Sequence, residues 1–162
     1  MVALFEVGAL TTSMQVVKND DVLYERDQTF GGAQPTQLIV RQYGFSPEEA
    51  ENNKRSGDFP EDYESGVFKP FIENMAQEIC RALQFSFTST PHNRVDYVLL
   101  AGGSSALPGL AEVVSQQTSF ACLLINPFEG MELGSNVREK KMRQEASSYL
   151  ASCGLALRRF LQ

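Results

Sequence analysis

Residues 95–118, VDYVLLAGGSSALPGLAEVVSQQT, decide the fold. VDYVLLA is a short, nearly continuous apolar run of the kind buried on both faces of a sheet. Two glycines then turn the chain into a helix with Pro108 near its start. ACLLIN at 121–126 repeats the strand signal, and a helix between two such strands requires a parallel pairing. The opening of the chain follows the other pattern. VALFEV (2–7) is rich in β-branched and aromatic residues, Gly8-Ala9 breaks the run, and LTTSMQVV resumes it. Asn19, Asp20 and Asp21 make the next turn, and VLYERDQTF reads as a third strand that stops at Gly31-Gly32. Opening hairpins are antiparallel and later crossovers are parallel, so the expected fold is α/β with a mixed five-stranded sheet.

The remaining segments read as helices. From Gln34 to Tyr43 the spacing of Leu38, Ile39 and Gln42 is helical, with Pro35 in the first turn and Gly44 just past the end. Ser46-Pro47-Glu48-Glu49 is a capping box, which predicts a helix over about 47–55. The acidic DFPEDYESG that follows has no period, and residues 46–66 read as an inserted helical segment. Phe68, Phe71, Ile72, Met75, Ala76, Ile79, Leu83 and Phe87 recur at three and four residues and predict a long central helix with one wide apolar face. SNVREKKMRQE reads as a charged loop. A last helix is expected with Tyr149, Leu150, Cys153, Leu157, Phe160 and Leu161 on its apolar side. The predicted order is βββαβαβα.

The 162 residues fit one domain at about 150 residues per domain, large enough to need neither disulfides nor a structural metal. A net charge of −6 argues against a protein that tracks nucleic-acid phosphates. Cys80, Cys122 and Cys153 are widely spaced in apolar surroundings, which suits a reduced cytosolic setting rather than a disulfide framework or zinc site. No apolar stretch is long enough to span a bilayer, so direct membrane insertion is not expected. With His92 as the only histidine, a Ser/His/Asp triad or a two-histidine metal site has little to build on.

Three segments could carry chemistry. In FEVGALTTS, Glu6 stands at a strand end before a small-residue turn and hydroxyls, an arrangement able to hold a hydrated metal and nucleotide phosphates. Taken alone, it reads first as an ordinary hairpin with glycine in its turn. In LLAGGSSALPGL, the glycines leave room for a base or phosphate against the backbone, although generic strand-to-helix turns use the same pair. In AENNKRSG, Glu51, Lys54 and Arg55 share one helix face, where they could bond ribose hydroxyls and stack on a base, or simply form a solvated Glu51–Arg55 ion pair.

Taken jointly and in this order, these segments resemble the second lobe of an actin-like ATPase, the RNase H-like superfamily of actin, DnaK-type chaperones and FtsA. FGGAQPTQLIVRQYGFSPEEAENNKRSG, FIENMAQEICRALQFSF, VDYVLLAGGSSALPGL, INPFEGM and CGLALRRF resemble the PilM family of type IV pilus assembly proteins, over nearly the whole chain. The resemblance implies one lobe over 1–162, with 46–66 inserted in it, and ATP and Mg as ligands of the intact protein. It assigns Gly8, Thr11 and Thr12 to the second phosphate loop, and Glu51, Lys54 and Arg55 to ribose and adenine. Gly102, Gly103 and Ser104 become the adenosine loop and Glu6 the metal position, where the family usually has Asp.

The chain opens directly at the second phosphate loop, so the resemblance further implies the C-terminal part of a two-lobe protein. Alone, this lobe is expected to be a structural or interaction module that binds nucleotide weakly and is not itself an enzyme; the intact protein would be at most a weak ATPase. The implied role is a cytoplasmic scaffold, peripheral to the inner membrane through platform proteins such as PilN, gripped mainly by the other lobe, with pilus motor ATPases as further candidate partners. Half of a sugar- or acyl-phosphate kinase of the same superfamily is the alternative.

Overall fold

The computed structural model describes residues 1–56 and 59–160. Its sheet contains β1 (Val2–Val7), β2 (Thr12–Lys18), β3 (Asp21–Gln28), β4 (Tyr97–Ala101) and β5 (Ala121–Leu124), in the spatial order β3-β2-β1-β4-β5. β1 pairs antiparallel with β2 and parallel with β4, and β4 pairs parallel with β5. The sheet is therefore mixed, as the two connection types require. Side-chain alternation sends Ala3, Phe5 and Val7 of β1, Met14 and Val16 of β2, and Val98 and Leu100 of β4 to one buried face. On the opposite face Leu4, Gln15 and Leu99 are half-buried, and Glu6 is exposed.

Against the buried face lies α3 (Lys69–Ser89), whose predicted stripe is the observed one: Phe71, Ile72, Met75, Ala76, Ile79 and Leu83 are all buried. A π-helical turn, Glu64–Phe68, leads directly into it. Leu110 and Val114 of α4 (Leu110–Thr118) complete this core. A second, smaller cluster joins Ile39 of α1 (Ala33–Tyr43), Ala50 of α2 (Pro47–Ser56) and Val67, with Phe59 and Tyr63 packed on it. Local chemistry sets these short helices. Gly44 adopts a left-handed φ of 70° and its N–H closes α1 onto the Val40 carbonyl at 3.0 Å. At α2 the capping box is complete: Glu49 N–H donates to Ser46 Oγ at 3.2 Å, and Ser46 N–H donates to Glu49 Oε2 at 2.8 Å.

Three expectations need correction. Within the supposed charged loop, Glu139–Glu145 form a helix, α5, that buries nothing and is held by the Glu139–Arg143 ion pair at 2.6 Å; it carries no apolar period because it faces no core. The last helix is broken into a 3₁₀ turn (Ala146–Tyr149), α6 (Leu150–Leu157) and a further 3₁₀ turn (Arg158–Phe160), and its supposed apolar side is not buried. Leu161 lies outside the described residues. The helices α3 and α4 already fill the buried face of the sheet, which leaves α6 no apolar surface of that face to cover. Finally, β5 is shorter than ACLLIN and largely exposed, being an edge strand with β4 as its neighbour, and Tyr97 at the head of β4 is exposed as well.

Candidate functional site

The candidate residues of the first hairpin and of the turn after β4 meet at one end of the sheet. Gly8 N–H donates to the Thr11 carbonyl at 2.9 Å and closes the hairpin, with Thr11 exposed at its tip. The parallel register of β1 and β4 carries the 102–105 turn to the same end, where Ser104 N–H donates to the Val7 carbonyl at 3.1 Å. Gly102 has φ 92°, and a side chain there would place Cβ 2.4 Å from the Val7 carbonyl oxygen, so no other residue fits without displacing β1. Gly103 is exposed and meets open space in the direction of a side chain.

A second glycine pair completes the corner, and its role was not recognised in the sequence, where Gly31-Gly32 reads as the stop of the third strand. Gly32 N–H donates to the Gly8 carbonyl at 3.0 Å, and Ala33 N–H to the Ala9 carbonyl at 2.8 Å. The hairpin tip thus satisfies amides at the N-terminus of α1. A Cβ on Gly32 would lie 2.0 Å from Ser104 Oγ, which brings hairpin, helix start and the 102–105 turn into direct contact. The available signal was the pattern itself: a Gly-Gly pair between a strand and the helix that follows it, here directly before α1 and, at Gly102-Gly103, six residues ahead of α4.

The other candidates are placed differently. Thr12 is only 1% exposed and donates its hydroxyl to the Phe30 carbonyl at 2.9 Å, which fastens β2 to the segment entering α1. Glu6 is exposed on the less covered sheet face, opposite Ser13 in β2 and Ala101 in β4. Glu51, Lys54 and Arg55 lie on α2, but their side chains are outside the described residues. Among the described residues no three His, Cys, Asp or Glu side chains group to hold a metal. Glu6 therefore supplies one carboxylate, enough to engage a metal through its water shell but not to enclose it.

Beside the corner, a hollow of about 480 Å³ is bounded by Pro35 at the start of α1, Leu107 and Pro108 after the glycine turn, and Phe59, Tyr63 and Phe68. Phe59 and Tyr63 stack at 3.6 Å, and burial, reinforced by Glu64, pushes the Tyr63 phenol up, so the phenol stays neutral at physiological pH, while Glu61 and Glu64 add acidic groups to the otherwise apolar lining. Its chemistry suits a flat, weakly polar ring. A hollow of about 580 Å³ lies elsewhere, between β3 and α3. It touches none of the candidate residues. Glycines whose backbone comes within reach of a ligand, an exposed Gly103 and a neighbouring apolar hollow are compatible with a nucleoside phosphate.

Comparison with known proteins places this geometry. The chain is 31% identical over 112 residues to the ethanolamine utilization protein EutJ of Escherichia coli (strain K12), covering 69% of this chain and 37% of that protein. It is similar to a chain of a PilM-PilN type IV pilus biogenesis complex, with a TM-score of 0.80 and 25% identity over 97% of this chain and 45% of that one. An archaeal actin homolog, Ta0583, in complex with ADP, shares the fold with a TM-score of 0.61 and 15% identity, over 97% of this chain and 49% of that one. The chain spans less than half the length of each. No helix of the described residues is long and apolar enough to cross a membrane. The sequence model of the family described as type IV pilus assembly protein PilM matches residues 1–160, and with the mixed actin-like sheet, the match establishes that the chain belongs to that family.

Proposed function

We propose that this chain is one lobe of a two-lobe, actin-like nucleotide-binding protein that scaffolds type IV pilus assembly at the cytoplasmic face of the inner membrane. In this reading residues 1–162 form the C-terminal lobe, with 46–66 inserted in it. The observation that carries it is the corner where Gly8, Gly32 and Ser104 meet, since three chain segments converge there with glycine at each point of close approach. Gly8 and Thr11 would face the nucleotide phosphates with Thr12 holding their strand, Gly102, Gly103 and Ser104 the adenosine, and Glu51, Lys54 and Arg55 the ribose and base. Glu6 would engage the magnesium shell. ATP, when bound, supplies the charged ligand that bridges two lobes; this lobe contributes backbone and one wall of the cleft. PilN would be engaged mainly by the other lobe, and family membership favours this scaffold over half of a kinase.

ATP titration of the two-lobe polypeptide by calorimetry tests the reading. Arg55→Ala and Lys54→Ala should each weaken ATP by about 1–2 kcal/mol and leave the thermal midpoint nearly unchanged, because both lie on a short surface helix. A solvated ion pair would instead cost a few tenths of a kcal/mol of stability and nothing in affinity. The 162 residues alone should bind ATP weakly, because the missing wall leaves one side of the ligand in water. Micromolar ATP binding by this chain alone, or undiminished affinity in both variants, would overturn the assignment.

A further inference from the structure

After Val114, the only buried residues among those described are Ala146 and Ser147. Everything else in the last third, β5, α5 and α6 included, is half-buried or exposed, with Leu155 at 65% and Phe160 at 77%. The one buried anchor of this region is therefore Ala146-Ser147, and its hydrogen bonds go to the glycine turn. Gly102 N–H donates to the Ser147 carbonyl at 2.8 Å, and Ser147 Oγ donates back to the Gly102 carbonyl at 3.2 Å. Ser105 Oγ donates to that same carbonyl at 2.6 Å, and Ser105 N–H at 3.1 Å. Gly102 is thus held by Ser147 at both its polar groups, and by Val7 through its lack of a side chain. Its neighbours Gly103 and Ser104 carry the surface left for a ligand.

We propose that Ser147 is a positioning residue for the 102–105 turn, and that it links ligand occupancy of that turn to the order of the C-terminal helical segment from Ala146 to Leu157. The ligand part rests on the nucleotide reading above; the tie itself does not. A segment with one buried anchor opens locally more readily than the core. Opening it removes a donor and an acceptor from Gly102, so the turn loosens with it. By linkage, a ligand that requires the ordered turn stabilises the C-terminal segment, and anything that orders that segment strengthens ligand binding by the same factor. Ser147 touches no ligand; it acts through Gly102.

Hydrogen exchange resolved by residue tests the tie without nucleotide. In the 162-residue chain, Ser147→Ala removes the hydroxyl bond and keeps the carbonyl bond, and should speed exchange of the Gly102 and Ser105 amides by roughly three- to tenfold, with Ile79 and Val98 unchanged. Ser105→Ala, which weakens the turn but keeps both Ser147 bonds to Gly102, should by the same linkage speed exchange of the turn and of amides 148–153 together. A measurement needing no variant guards against misfolding: in low urea, the Gly102 amide and those of 150–153 should open as one unit in the wild-type chain. Separate opening energies, or unchanged turn exchange in Ser147→Ala, would overturn the proposal. In the two-lobe polypeptide, ATP should slow exchange at 150–153, and Ser147→Ala should weaken ATP about five- to tenfold with little change in thermal midpoint. A wild-type protein that binds no ATP would sink the nucleotide reading alone. Binding unaffected by Ser147→Ala, with exchange at 150–153 indifferent to ATP, would sink the linkage alone.

Discussion

The helices α3 and α6 carry the same kind of signal and meet different fates. Both space apolar residues at three and four, yet α3 buries eight residues against the sheet and α6 buries none. A periodic stripe specifies which face of a helix is apolar, not whether anything covers that face. Covering depends on the surface its neighbours leave free, and here α3 and α4 occupy the buried side of the sheet. The difference also separates stability from coupling. The α3 region carries the fold, while the last third joins it through β5 pairing and the Ala146-Ser147 anchor.

Substitutions along this gradient should grade accordingly. The largest loss is expected at Ile79, fully buried between α3 and the sheet: Ile79→Ala should cost about 2–4 kcal/mol in chemical denaturation. An unchanged midpoint would remove α3 from its central place. In the smaller cluster, Val67→Ala deletes about two buried methylene equivalents and should cost roughly 1.5 kcal/mol. A loss as large as that at Ile79 would mean that the two clusters unfold as equals.

At the α2 cap, Ser46→Ala should cost about 1 kcal/mol by the same measurement. This cap also depends on pH. The bond from the Ser46 backbone N–H, followed by that with its hydroxyl, holds the Glu49 carboxyl below its usual range. A depressed folded pKa stabilises the fold above the unfolded carboxylate pKa, and the contribution disappears as pH falls through the folded value. Glu49→Gln should therefore flatten part of the acid limb of the stability profile, and an unaltered limb would show the bond to be idle. Smallest of all, Phe160→Ser at the exposed C-terminal turn should change stability by less than about 0.5 kcal/mol. A larger loss would mean that the turn is covered in solution.

Much of this fold was readable from residues close together in the chain. The mixed sheet follows from hairpin signals at Gly8 and Asn19-Asp20 together with the strand-helix-strand pattern after Val95, and the α2 cap is legible because its bonds span three residues. Two of the candidate site segments, the first hairpin and the 102–105 turn, also stand out by composition, and the structure brings them to one end of the sheet. Less legible were the parts defined by distant partners. The hydroxyl of Thr12 is drawn into the interior by Phe30, Leu38 emerges 42% exposed while its neighbour Ile39 is buried, and Gly31-Gly32 looks like a strand stop until Ser104 is seen against it.

By itself, then, the sequence determined the order and type of the main elements, the caps of the short helices and the family to which the chain belongs. Hydrogen bonds and steric preferences that act within one turn of chain write those features locally. Tertiary structure alone decided that Gly8, Gly32 and Ser104 share a corner, that α6 stays uncovered, and that Ser147 is spent on Gly102. Such contacts join residues remote in sequence. They depend on which surfaces remain open after the sheet and α3 have packed, and no local pattern encodes that outcome.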